Sequence, residues 1–172
     1  MSAEDDSLVA LMKHFDDALS VDQLVAICRR SDALLHFVGI AGAGMSALAD
    51  FRLQAGGRVS GSDRFFDQGN LLTEKGRLQR LGANILRQNG ENLENVDLMV
   101  ASTAVEAQIP DLIRAQELGI PVVHRAQLLA AHVSSRPTIA IAGTSGKSTV
   151  VGMTFSALRG AGLDPGVITG GE

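Results

Sequence analysis

Two short stretches of this chain set glycine beside groups that hold phosphate. In residues 138–152, TIAIAGTSGKSTVVG, an apolar run leads into Gly143, Thr144, Ser145, Gly146, Lys147, Ser148 and Thr149. Backbone amides of such a loop cradle phosphate oxygens, a lysine ammonium neutralises terminal phosphates, and the Ser148 hydroxyl is placed to ligate Mg²⁺. The full phosphate-loop pattern has four residues between its first glycine and the Gly-Lys pair. Counting back from Gly146-Lys147, that first position is Ile141, so this loop is shorter with the same working parts. Lys147 would act electrostatically on a transferred phosphoryl group, with no covalent step.

The other stretch is HFVGIAGAGMSALADF, residues 36–51. Gly42, Gly44 and Ala47 fit G-x-G-x-x-G/A, in which glycine permits a tight turn and brings amides near a pyrophosphate at a helix N-terminus. Asp63 follows Gly44 by nineteen residues, in RVSGSD. A carboxylate at that place commonly accepts hydrogen bonds from a ribose. A dinucleotide-binding oxidoreductase domain is therefore one reading, and glycines serving only close strand-to-helix packing are another. Met45 reads as a first-turn core residue that is also near enough to touch a ligand.

The elements that must position these loops follow from periodicity. Short apolar runs predict strands near 34–39, 58–61, 84–87, 97–101 and 121–123, and helical spacing predicts helices near 44–55, 71–81, 110–118 and 125–132. The alternation implies an α/β fold, a Rossmann-like parallel sheet with flanking helices. Before it, residues 1–31 carry a helical extension: Leu8, Leu11, Met12, Phe15 and Leu19 share one face, and Ser20 with Gln23 forms a capping-box pattern for a second helix. The first domain is expected over 32–133, a linker at 134–137 (SSRP), and over 138–172 a strand at 138–142, a helix at 147–160 and the segment GVITGG, the first β-α-β unit of a second, ATP-binding domain. One such unit has too little surface to bury its apolar face. Val150, Val151, Met153, Phe155 and Leu158 are thus expected to leave apolar surface open and to favour self-association.

Composition narrows the function. Of 172 residues 45% are hydrophobic and 20% charged, the balance of a chain that buries a core. A net charge of −4, the absence of a Lys/Arg cluster, and no Trp or Tyr argue against nucleic acid as a partner. No run approaches the roughly 18 apolar residues of a membrane span. MSAEDDS lacks the basic and apolar blocks of a signal peptide, which with the single Cys28 points to the cytoplasm. Cys28 itself, among Leu24, Val25 and Ile27, reads as a packed thiol. His36, His124 and His132 are too dispersed for a metal site, His36 being read as a satisfied buried histidine. His124-Arg125 at a helix start faces either an anionic substrate or solvent.

Two nucleotide-type loops about a hundred residues apart decide against a plain oxidoreductase domain. HFVGIAGAGMSALA, VSGSD, VASTAV, GIPVVHRAQLLA, IAIAGTSGKST and GLDPGVITGG, in that order over 36–171, resemble the Mur ligase family, the ATP-dependent enzymes that add amino acids to the peptidoglycan precursor. The chain departs from the family's alanine-adding branch, which usually has His where Ser145 stands and Thr where Ser148 stands; serine keeps the hydroxyl for magnesium. The resemblance implies that Gly42, Ala43, Gly44, Met45 and Ser46 hold the diphosphate of a UDP-N-acetylmuramate-type nucleotide sugar, with Asp63, Ser102 and Thr103 near the nucleoside. It also implies that Gly143, Thr144, Ser145, Gly146, Lys147, Ser148 and Thr149 hold ATP and Mg²⁺, and that an amino acid is the other substrate. The family's remaining catalytic parts have no counterpart here, so the chain is expected to be an inactive N-terminal portion of such a ligase. A non-catalytic nucleotide-binding or regulatory module is the alternative, and an NAD-binding domain ranks third.

Overall fold

The computed structural model describes residues 19–102 and 109–169. The helix expected before Ser20, and Thr103, lie outside the described residues. In chain order the elements are α1 (Val21–Arg29), β1 (Leu34–Val38), α2 (Ala43–Gln54), β2 (Arg58–Ser62), α3 (Arg64–Asp67), α4 (Leu72–Arg80), β3 (Asn84–Leu86), β4 (Leu98–Ala101), α5 (Pro110–Leu118), β5 (Val122–His124), α6 (Arg125–Ser134) and α7 (Lys147–Gly160).

The five strands form one sheet in the order β3-β2-β1-β4-β5, every pair parallel. Parallel strands have helices on both faces and bury both, so alternate residues of one strand serve two cores. Leu35, Phe37, Leu98 and Val100 face one core with Leu24, Met45, Leu48, Leu128 and Ala131; Val38, Met99 and Ala101 face the other with Leu93, Val96, Leu112 and Ala115. Each large side chain so buried contributes about 1.5–3 kcal/mol.

Helix α1 begins as its sequence predicts. Gln23 N–H donates to Ser20 Oγ at 3.3 Å and Ser20 N–H to Gln23 Oε1 at 2.8 Å. Leu24 enters the core of the first sheet face, so this helix is part of the domain's packing. Arg52, 3% exposed on α2, ties it down: its guanidinium donates to the carbonyls of Cys28 at 2.6 Å, Arg30 at 2.6 Å and Ala33 at 2.9 Å.

The part after α6 departs from expectation. Ser134, expected in the linker, closes helix α6. The remaining linker residues lie on the domain, with Arg136 4.9 Å above the Phe51 ring. Residues 138–142 form no strand, although their Thr, Ile and Ala favour one, and neither does 163–169. A strand exists only through a neighbour's hydrogen bonds, and none of the described strands lies beside these residues. The helix of this unit does form, as α7, and buries no residue.

Candidate functional site

In a sheet of this order the crevice at the carboxyl ends of the strands, between β1 and β4 where the order reverses, is the natural place for a ligand. The structure has a cavity of about 480 Å³ there. Each strand's carboxyl end contributes: Gly39, Ala41, Gly42, Ala43, Gly44 and Met45 follow β1, Asp63 and Arg64 follow β2, Gln88 follows β3, Ser102 follows β4, and Arg125 follows β5.

The glycine loop turns at Gly39, whose φ of 75° is a left-handed conformation that glycine adopts without strain. Ser62 fixes the turn, its carbonyl accepting from Gly39 N–H at 2.8 Å and Ile40 N–H at 3.1 Å. Gly42 then caps α2 with no side-chain bond. Ala43 and Gly44 open that helix, so their amides are among the first-turn donors that have no acceptor within the helix, at its electropositive end. Gly44 lets the Arg125 guanidinium lie directly over the helix start: a Cβ there would meet it and push this exposed side chain aside. Arg125 and Arg64 are both exposed and both line this cavity, so two cations border the space that the open amides face. This arrangement suits a diphosphate.

Asp63 has a role that the spacing rule did not anticipate. It is 4% exposed, and its oxygens accept from Ala41 N–H and Phe65 N–H, each at 2.9 Å. It clamps the glycine loop and caps α3, with its carboxylate edge at the cavity wall. Met45 lines the cavity and also belongs to the core, 4% exposed. Ser46 does not line this cavity; its hydroxyl donates to Ala43 O at 3.2 Å and faces a neighbouring cavity of about 640 Å³ with Asp50, Phe51, Glu74, Val167 and Thr169. Leu71 lines both cavities with a φ of 51°, rare for a residue with a side chain.

Beneath the cavity His36 and Asp111 are buried, 0% and 1% exposed. His36 Nδ1 lies 2.9 Å from Ser60 Oγ and Nε2 3.3 Å from Ser62 Oγ, confirming it as a satisfied core histidine. Asp111 accepts from Gly90 N–H at 2.7 Å and from the Ser62 hydroxyl. Burial pushes the Asp111 carboxyl up, but the bonds from His36, Ser62 and Gly90 outweigh it and hold it below the usual carboxylate value.

The second loop is apart from both cavities. Gly143, Thr144, Ser145, Gly146, Lys147, Ser148 and Thr149 are all exposed. Gly146 caps α7 with a φ of 75°, and the Lys147 ammonium folds back to donate to the carbonyls of Gly143 at 2.5 Å and Thr144 at 3.3 Å. Ser148 sits in the first turn of α7, and among the described residues no cluster of His, Cys, Asp or Glu could hold a metal. No helix of the described residues is long and apolar enough to cross a membrane.

Sequence reasoning missed Gly39, Ala41, Arg64, Phe65, Leu71, Gln88 and Ile109 in the cavity wall, and left Arg125 open. Six of these follow directly from the topology, since a residue just past a strand's carboxyl end lines the crevice whatever its type; Leu71 and Ile109 have no such signal.

Comparison with known proteins agrees with this geometry. The family model described as Mur ligase family, catalytic domain, matches residues 34–136. UDP-N-acetylmuramate--L-alanine ligase of Pelobacter propionicus is 45% identical over 80% of this chain and 29% of its own length, and that of Trichlorobacter lovleyi 44% identical over the same shares. The chain thus spans about 29% of the length of these relatives. Among solved structures, the UDP-N-acetylmuramate-alanine ligase of Thermotoga maritima superposes with a TM-score of 0.70 at 29% identity, over 80% of this chain and 31% of that one. A murein peptide ligase from Psychrobacter arcticus gives 0.64 at 30% identity, over 76% and 27%.

Proposed function

The chain belongs to the Mur ligase family, and from that premise we propose that it supplies the nucleotide-sugar-binding part of an ATP-dependent ligase acting in the cytoplasm. The ligase joins an amino acid or peptide to UDP-N-acetylmuramate. ATP activates the sugar-linked carboxylate as an acyl phosphate, which the amine attacks. Residues 32–133 form the nucleotide-sugar domain and 138–172 begin the ATP-binding one. The chain alone does not ligate, because the relatives carry more than two thirds of their length in parts it does not match.

The observation that carries this reading is the cavity itself. Open first-turn amides at Ala43 and Gly44, with Arg125 over them and Arg64 elsewhere on the cavity wall, offer a diphosphate both hydrogen bonds and positive charge, and Asp63, Gln88 and Ser102 line the rest of the space. Ser148 and Lys147 suit Mg²⁺ and ATP by residue type, with Lys147 leaving its two loop carbonyls to meet phosphate.

Calorimetric titration of the chain with UDP-N-acetylmuramate tests this. Binding is expected with micromolar or tighter affinity and weakening with salt, as for a contact made by arginines. Binding of NAD in its place would overturn the reading in favour of an oxidoreductase domain.

A further inference from the structure

The buried polar cluster beneath the cavity has connections that a core histidine does not need. His36, Ser60, Ser62 and Asp111 belong to β1, β2 and α5, and Asp111 adds Gly90 from the loop after β3. Three of these residues, Ser62, Gly90 and Asp111, lead to different walls of the cavity. Ser62 holds the glycine turn through its carbonyl, and its chain neighbour Asp63 holds Ala41. Gly90 is two residues from the wall residue Gln88, whose own N–H is held by Asp67 at 2.9 Å. Asp111 itself is two residues from the wall residue Ile109. Close approach is built in at Gly90, where a Cβ would come within 3.0 Å of Pro110 O.

We propose that Asp111 is a positioning residue: by joining Ser62 and Gly90 it fixes the spacing of the glycine turn, the Gln88 loop and the Ile109 wall, and thereby sets nucleotide-sugar affinity without touching the ligand. This rests on the nucleotide-sugar reading of the cavity. The hydrogen bonds run one way. The Ser62 hydroxyl donates to Asp111, which only accepts, so Ser62 Oγ is left to accept from His36 Nε2–H, and in the neutral tautomer that this selects, Nδ1 accepts from Ser60. An amide in place of the carboxylate reverses the chain without breaking it. Its nitrogen donates to Ser62, Ser62 to His36 Nε2, and His36 Nδ1–H to Ser60, while its oxygen still accepts from Gly90.

The test is calorimetric titration of the 172-residue chain with UDP-N-acetylmuramate, in parallel for the parent, Asp111→Ala, Asp111→Asn and Leu24→Ala, the last destabilising the core at α1 away from the cavity. The expected results are a tenfold or greater loss for Asp111→Ala, affinity within threefold of the parent for Leu24→Ala and Asp111→Asn, and a switch of the His36 tautomer from Nε2–H to Nδ1–H in Asp111→Asn, read from imidazole ¹⁵N shifts. Parent-like affinity of Asp111→Ala, or equal losses in Asp111→Ala and Leu24→Ala, would overturn the proposal while the cavity reading stands. No binding by the folded parent removes the cavity reading and this inference with it. If Asp111→Ala does not fold, Ser62→Ala decides: a threefold or greater loss supports the role and unchanged affinity refutes it.

Discussion

His132 makes the stability of this domain depend on pH in a calculable way. The ring is 4% exposed, 5.1 Å edge-on from Phe51, and its Nε2 has no hydrogen-bond partner among the described residues. Burial, and secondarily the positive charges of Arg136 and Arg52, depress its pKa from 6.5 to about 4. Above pH 6.5 the ring is neutral in both folded and unfolded chains, and its contribution is flat. As pH falls through 6.5 the unfolded chain takes the proton and the folded one does not, so stability falls until about pH 4, where the folded form is protonated too. Integrated from pH 7 to pH 4.5, the loss is about 2 kcal/mol, a large share of a domain's margin. His132→Phe keeps an aromatic ring against Phe51 and cannot titrate. Urea melts at both pH values compare the two proteins, followed by circular dichroism because the sequence has no Trp or Tyr. The parent is expected to lose about 2 kcal/mol more than the variant. Equal losses in the two proteins would refute the argument that burial keeps this imidazole neutral.

Four other outcomes follow from the geometry. Gly44→Ala brings a methyl group against the Arg125 guanidinium, so nucleotide-sugar affinity measured by calorimetry should fall about tenfold while stability holds or rises, alanine being the better helix residue by about 1 kcal/mol. Arg52→Met leaves three carbonyls without their donor, and urea denaturation should show a loss of about 3 kcal/mol. Gly146→Ala forces a side chain into a φ of 75°, costing about 1–2 kcal/mol locally. Any ATP binding by the chain, followed by fluorescent-analogue titration, should weaken with it. Helix α7 leaves Val150 47% and Met153 68% exposed, so light scattering should show concentration-dependent self-association that Val150→Lys with Met153→Lys abolishes; a monomer throughout would count against that surface being adhesive.

What was legible in the sequence was local. The Ser20 and Gln23 box, the strand entering the glycine loop, and the helix after it all depend on residues within a few positions of one another, and they stand as expected. The sheet followed because alternating strands and helices admit few topologies. The roles of individual polar residues did not follow. Asp63 has the ribose-binding spacing, yet its oxygens are engaged by Ala41 and Phe65, which depends on where β2 ends relative to the loop after β1. The His36 cluster exists only because register sets His36 beside Ser60 and Val38 beside Ser62. The strand expected at 138–142 shows the limit from the other side: its composition is that of a buried strand, but the partners that would make it one are not among the described residues.

All five strands run the same way, and this divides the domain into two rims with different tolerance for change. The upper rim, at the carboxyl ends, holds every loop that lines the 480 Å³ cavity; an insertion in any of them alters the cavity. The lower rim's turns at Gly56, Gly82 and Gly119 line neither cavity. At the turn that reverses α5 into β5, Gly119 holds a φ of 68° that a side chain would strain, but the exposed Leu118 before it can carry a label or affinity tag with the length of the strands between it and the site. A fluorophore attached there would report on tumbling and assembly of the molecule while leaving the cavity as it is.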